Sequence, residues 1–209
     1  VTYRAVADGM QHDNTASLQS LKSALEAGTV DTLVCLGTNP VYDAPADFKF
    51  AELVGKAALK IHVGDYDDET GKLCDWHFPM AHELESWGDT RAHDGTLGLQ
   101  QPMIQPLHGG VSPLEFLAFL TQQSGYEALT YGRDGAFGHD LVKAHWQQAS
   151  GAGDFASWWS QALHDGVVAD SAFAAESPTV NSGTIAGGVR GYQPASGIEI
   201  ALRTCPKMQ

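Results

Sequence analysis

An apolar strand that runs straight into a glycine turn, followed one unit later by a second strand ending in acids, constrains this chain most. Thr32-Leu33-Val34-Cys35-Leu36 leads into Gly37-Thr38-Asn39-Pro40. A helical pattern follows, and then Leu59 to Val63, which ends in Gly64-Asp65-Tyr66-Asp67-Asp68-Glu69-Thr70. A strand, a helix and a strand at this spacing predict two parallel strands joined by a right-handed crossover. The first strand is almost wholly apolar, as burial on both faces of a sheet requires. Both turns then lie at the carboxyl ends of parallel strands, the edge where open α/β sheets bind ligands.

Charge narrows the classes of partner. The formal net charge is -13, with 12 Lys plus Arg against 25 Asp plus Glu. Nucleic-acid binding needs clustered cations to neutralise phosphates, and this composition excludes it as an expectation. The same balance disfavours anionic lipid. No apolar run approaches the roughly 18 residues of a membrane span, so no direct membrane insertion is expected. Cys35, Cys74 and Cys205 are far apart and form no Cys-x-x-Cys pair, which argues against a cluster or zinc knuckle. The chain begins with Val1 and stops soon after a strand-like segment, and it reads as a piece of a longer protein.

Helical signals are distributed unevenly. Asn14 or Thr15 can cap a helix with Leu18, Leu21 and Leu25 on one face, and Gly28 is placed to end it. Pro45 suits the first turn of the next helix, whose face is Phe50, Leu53, Val54 and Ala57. Residues 71–111 show little periodicity and read as a long functional or connecting loop. A capping box at Ser112-Pro113-Leu114-Glu115 starts a further helix. A short helix is expected at His139 to Gln148. Asp154 caps another, with Phe155, Trp158, Trp159, Ala162 and Leu163 on one face and Gly166 as terminator. Residues 176–197, rich in Ser, Gly and Pro, read as a loop. Ile198, Ile200 and Leu202 alternate as a strand.

Three kinds of chemistry are open to these residues. Cys74, His77, His82, Glu83 and His93 could hold zinc, but His77 and His82 are five apart with Pro79 between them, unlike a helical i, i+4 pair. The bland alternative packs Trp76, Phe78 and Leu84 on the sheet, with the histidines in ordinary hydrogen bonds. At the strand ends, Asn39 could donate its amide, Asp65 could accept from a ribose or guanine, and Thr70 could cap a helix at an anion. Against that, Gly37 can serve only φ > 0, Asn39-Pro40 only a turn, and Asp68-Glu69 only a helix start. His108, His139, His145 and His164 are scattered, no Gly-x-Ser-x-Gly elbow is present, and hydrolysis is disfavoured. Gly187-Gly188-Val189-Arg190-Gly191 is not a phosphate loop after a strand.

Read together, Gly37, Asn39-Pro40, Asp65, Glu69-Thr70, Asp75, Pro79, Glu85, Gly88, Arg91, Gly95 and Gln101 resemble, in order, the molybdopterin oxidoreductase superfamily of the dimethyl sulfoxide reductase type. The segments 39–45, 82–89, 101–107 and 163–166 look like one branch, the large B subunits of bacterial alternative complex III and related membrane-bound electron-transfer complexes.

That resemblance implies an α/β fold. A Rossmann-like parallel sheet with flanking helices would fill 1–110 as a partial domain, followed by a mainly helical connecting region at 111–175. Residues 176–209 would be the loop and strand of a truncated C-terminal β domain. It implies an internal, non-catalytic structural region of a quinol-oxidising respiratory complex. The partners would be the other subunits, and the location the periplasmic face of a bacterial inner membrane. Gly37, Asn39, Asp65, Glu69 and Thr70 match the positions where the wider family holds the guanosine end of molybdopterin guanine dinucleotide. No cofactor is expected in this piece itself, with iron–sulfur clusters elsewhere in the parent chain. The aromatic segments Trp76-His77-Phe78 and Glu85-Ser86-Trp87 are expected to fill the space of the dinucleotide. The alternative is the cofactor-binding part of an active molybdopterin guanine dinucleotide oxidoreductase.

Overall fold

The computed structural model of this chain describes residues 1–5, 14–121, 136–191 and 196–198. Residues 4–174 form one compact unit, and residues 1–3 with 175 onward form another. At the start of the chain, β1 (Tyr3–Arg4) pairs with a later two-residue strand, Ala175–Glu176.

The larger unit is mixed α/β, built on a three-stranded parallel sheet. Helix α1 (Asn14–Glu26) presents Leu18, Leu21 and Leu25 to the core, and Gly28 ends it at φ 66 with its N–H on the Leu25 carbonyl. Strand β2 (Thr32–Leu36) follows. A short helix not expected from the sequence, α2 (Pro40–Asp43), comes next, and the helix expected from Pro45 is broken into a 3-10 turn at Ala46–Phe48 and α3 (Phe50–Val54). Lys49 causes the break, because at φ 50 it is left-handed and interrupts the helical ladder. The expected face survives: Phe50, Leu53, Val54 and Ala57 are all buried.

Strand β3 (Leu59–Gly64) lies parallel to β2, with Cys35 opposite His62 and Leu36 opposite Val63. A third strand, β4 (Trp76–Pro79), lies parallel to β3, with His62 opposite His77 and Val63 opposite Phe78. The sequence reading missed β4 because four residues carrying two aromatics and a proline offer no alternation to detect. The connection from β3 to β4 contains only the 3-10 turn Gly71–Leu73.

Alternation in the strands gives the sheet two covered faces. Leu33 and Cys35 pack with Leu25, Phe50, Leu53 and Val54 from α1 and α3. Val34, Leu36, Ile61, Val63 and Phe78 pack around Phe116 on α4 (Pro113–Thr121). The capping box forms as expected: the Ser112 N–H donates to Glu115 Oε2 at 2.9 Å, and the Glu115 N–H to Ser112 Oγ at 3.2 Å. The buried Glu115 also accepts from the Gly138 N–H at 3.1 Å, which ties α4 to α5 (Ala136–Ala149).

Residues 71–111 are not a plain loop. Besides β4, they hold a hairpin of β5 (Gly88–Arg91) and β6 (Leu97–Gln100), antiparallel, with Asp89 opposite Leu99. Gly95 supports its turn at φ 91, where a Cβ would stand 2.5 Å from the Phe173 ring. The hairpin carries a second core with α5 and α6 (Phe155–Asp165), made of Leu99, Val142, Trp146, Trp159 and Ala162. Asp154 caps α6 through Ser157, and Gly166 ends it at φ 69.

In the smaller unit, β7 (Ala175–Glu176) is followed by a helix, α7 (Ser182–Gly191), inside the stretch read as loop. Asn181 caps it by accepting the Thr184 N–H at 3.0 Å, and that side chain is the signal the glycine content obscured. The strand expected from Ile198 to Leu202 lies outside the described residues apart from Ile198, and so does Cys205.

Candidate functional site

The two turns that define the sequence pattern meet at the carboxyl edge of the sheet. Gly37 takes φ 61, and its N–H extends the ladder to the Val63 carbonyl at 2.8 Å. That geometry turns the chain so that Asn39 stands beside the loop leaving β3. Asn39 precedes α2, but its side chain caps nothing there. It reaches across to the neighbouring turn instead. Its Nδ2 donates to Glu69 Oε2 at 2.8 Å, and its Oδ1 accepts from Thr70 Oγ1 at 2.7 Å.

Thr70 completes the connection. It is fully buried, and its hydroxyl oxygen also accepts the Val41 N–H at 3.1 Å. One hydroxyl therefore joins the Asn39 side chain to the first turn of α2. The Asn39 amide holds the Glu69 carboxyl below its usual range, with the loop's own backbone adding to the effect. Asp65 stands at the end of β3, exposed to solvent.

Four of the five predicted positions are therefore brought together: Gly37 shapes the first turn, and Asn39, Glu69 and Thr70 bond directly across it. Asp65 shares the edge but joins none of these bonds. The remaining positions of the ordered pattern hold the frame. Asp75 pairs with Lys60 at 2.9 Å, and that contact depresses its carboxyl. Glu85 closes a capping box with His82, and its other oxygen accepts the Leu107 N–H at 3.2 Å. Arg91 donates to the Gly95 carbonyl at 3.1 Å and lies over the Phe173 ring. Gln101 donates to the Leu163 carbonyl at 2.8 Å.

The aromatic segments do not close the turns. Phe78 packs on Phe116 beneath the sheet, Trp76 is exposed, and Trp87 joins His139 and Trp159 in the second core. The bonds that join the two turns come from Asn39, Glu69 and Thr70 and not from these aromatic side chains.

The zinc candidates are dispersed as well. Cys74 packs against the first core, His77 faces His62, and His82 Nδ1 accepts the Leu84 N–H at 3.1 Å. Among the described residues, no three His, Cys, Asp or Glu side chains form a group that could hold a metal. Burial pushes the Cys35 thiol up to about 11, with Cys74 and Asp68 adding to the shift, so it behaves as a buried neutral side chain.

His62 was missed at the sequence level. Its signal was available: His62 alternates with Lys60 between the apolar residues Leu59, Ile61 and Val63, a polar side chain in the middle of a central strand. No protein-family profile matches this chain, and no curated protein is significantly similar to it.

Proposed function

We propose that the larger unit is a Rossmann-like domain of the nucleotide-binding type whose ligand edge has closed upon itself. A parallel sheet covered by helices on both faces, with its two informative turns at the carboxyl edge, supports that class. Within the class, we read the chain as a non-catalytic structural region of a molybdopterin-oxidoreductase-like subunit, in a membrane-associated, quinol-oxidising electron-transfer complex. The ordered motif from Gly37 to Gln101 carries that finer reading as a resemblance. Its task there is to hold cluster-bearing domains and partner subunits at fixed spacing. The truncated C-terminal β domain belongs to the same reading.

The observation that carries the structural role is the bonding of Asn39. A nucleotide site needs polar groups left open toward the ligand. Here the Asn39 amide is engaged at both ends, and the Thr70 hydroxyl both donates and accepts within the protein. Among the described residues, the edge keeps no buried side-chain nitrogen or oxygen without a partner; His62 Nε2, below it, is the one such side-chain atom. Asn39 and Thr70 fit the guanosine end of molybdopterin guanine dinucleotide poorly, because binding it through them would first require breaking bonds they make within the protein; Asp65 stands free of those bonds.

Calorimetry with GMP and GDP tests the reading. No saturable heat is expected at millimolar nucleotide. Saturable binding that disappears in Asn39→Ala or Asp65→Asn overturns it in favour of a cofactor-gripping enzyme part. The full parent chain gives a second test. Cysteine quartets downstream and no molybdenum ligand upstream are expected, and a molybdenum content near one per chain in the purified complex contradicts the scaffold role.

A further inference from the structure

His62 and His77 face each other across β3 and β4. Their Nδ1 atoms are 2.9 Å apart, and the rings stack with centroids 5.0 Å apart. His62 is 1 % exposed, and its Nε2 is buried without a hydrogen-bond partner among the described residues. That nitrogen stops 3.6 Å from Asp68 Oδ1, too far for a hydrogen bond.

Proton counting explains the arrangement. Two facing Nδ1 atoms at this distance hold one proton between them: one ring donates and the other accepts. With both rings neutral, two arrangements fit the contact: His77 donates to His62 Nδ1 and His62 aims its Nε2–H at Asp68, or His62 donates and turns a bare Nε2 lone pair toward the carboxylate oxygen. One added proton removes the second, conflicted arrangement and sets a charged ring against Asp68. His62 then carries N–H on both nitrogens, one directed at His77 Nδ1 and one at Asp68. A second proton sets N–H against N–H across the shared contact, which must then open.

The surroundings couple the pair to the loop between β3 and β4. The titratable groups around it are Cys35 from β2, His77 from β4, and Asp67, Asp68 and Cys74 from the loop; the Lys60–Asp75 pair lies one step along the same face. From α1 and α3 come the apolar side chains Leu25, Phe50, Leu53 and Val54. The ring is also gripped by backbone. A Cβ on Gly64 would stand 2.6 Å from His62 Cε1, and one on Gly71 would stand 2.9 Å from His62 Nδ1. Asp68 Oδ1 accepts the Gly71 N–H at 2.9 Å, so the carboxylate that faces the ring also holds the turn.

We propose that His62 and His77 form a one-proton latch on the loop from Asp65 to Asp75, tightening it when the pair binds one added proton and releasing it when the pair binds two. The loop carries Glu69 and Thr70, so release uncouples the two turns at the sheet edge. The latch operates whether or not any ligand binds there.

Side-chain 15N NMR of the histidines, followed from about pH 8 to about pH 4.5, the range in which imidazoles act as switches, reads the protonation states. Amide hydrogen exchange over residues 65–75, corrected for the intrinsic pH dependence, reads the loop. Exchange there is expected to slow on the first uptake, then to accelerate about tenfold or more on the second, while α6 keeps its protection. His77→Phe keeps a ring but removes the facing nitrogen, and it should abolish the second, releasing step. Asp68→Asn keeps an acceptor for the Gly71 N–H but removes the charge, and it should move the first uptake to lower pH. Should His77→Phe not fold, the Asp68→Asn titration alone decides. Independent titration of the two rings with no change confined to 65–75 overturns the latch. An unchanged titration in Asp68→Asn does the same, as does stoichiometric zinc bound through both rings.

Discussion

The parallel sheet and the hairpin lobe bury their cores in different ways. The sheet is covered mainly by aliphatic side chains, Leu25, Val54 and Val63 fully enclosed, with single phenylalanines, Phe50 and Phe116, set among them on either face. The hairpin lobe is held by large rings: Trp159 stacks with Trp87 and Phe155, Phe155 also stacks with Trp158, Trp146 lies tilted on Trp158, and His139 and His145 meet Trp87 and Trp146 edge-on. A helix side chain also reaches the strands by a polar contact, Trp146 Nε1 donating to Asp89 at 2.9 Å. Cross-strand polar chemistry gathers instead in the sheet, at Asn39, Glu69 and Thr70 along the edge and at His62 and His77 below it. The hairpin lobe is therefore held by ring packing, and the sheet edge by hydrogen bonds between side chains.

Core truncations give the largest test of that contrast. Phe116→Ala empties a site that touches the sheet through Phe78 and Val63 and should cost about 3–5 kcal/mol in urea denaturation. Trp159→Ala should cost a similar amount, yet leave amide exchange at 65–75 unchanged. If both variants loosen that loop equally, the two regions are one cooperative packing unit and the contrast fails.

Thr70→Val is an intermediate test. It keeps the volume but leaves Asn39 Oδ1 and the Val41 N–H without their partner, at a cost of about 1–3 kcal/mol. The loss should fall on the sheet edge, seen as faster exchange at residues 39–43 and 68–73. A neutral result would mean that water replaces the hydroxyl and the edge is already open.

The smallest effect is electrostatic. Asn39 lowers the Glu69 carboxyl, so this group adds stability above its unfolded value and loses it as pH falls through the lower folded value. Asn39→Ala should raise the Glu69 midpoint toward the ordinary carboxylate range in a 13C carboxyl titration. A midpoint that does not move would show that the loop backbone alone sets the charge, and that Asn39 does not govern it.

Much of the frame was legible because local chemistry fixed it. The Ser112–Glu115 box, the Asp154 cap and the stops at Gly28 and Gly166 depend on residues within a few positions of one another. So does the buried stripe of α6. Two features misled. Lys49 in a left-handed conformation split a helix that periodicity drew as continuous, and α7 formed where glycine and serine suggested loop. Strand β4 and the hairpin were too short to show a period, and they exist because β3, α5 and α6 cover them.

By itself the sequence determined that Leu33 to Leu36 and Leu59 to Val63 pair in parallel and bring two turns to one edge, since apolar runs of that length joined through a helical segment have few other arrangements. Only the tertiary structure decided what those turns do. Asn39 lies 30 residues from Glu69 and 31 from Thr70, and His62 lies 15 from His77. No local signal spans such separations. Strand register places His62 against His77, and side-chain reach across the sheet edge joins Asn39 to the second turn, so these polar groups satisfy one another instead of standing open.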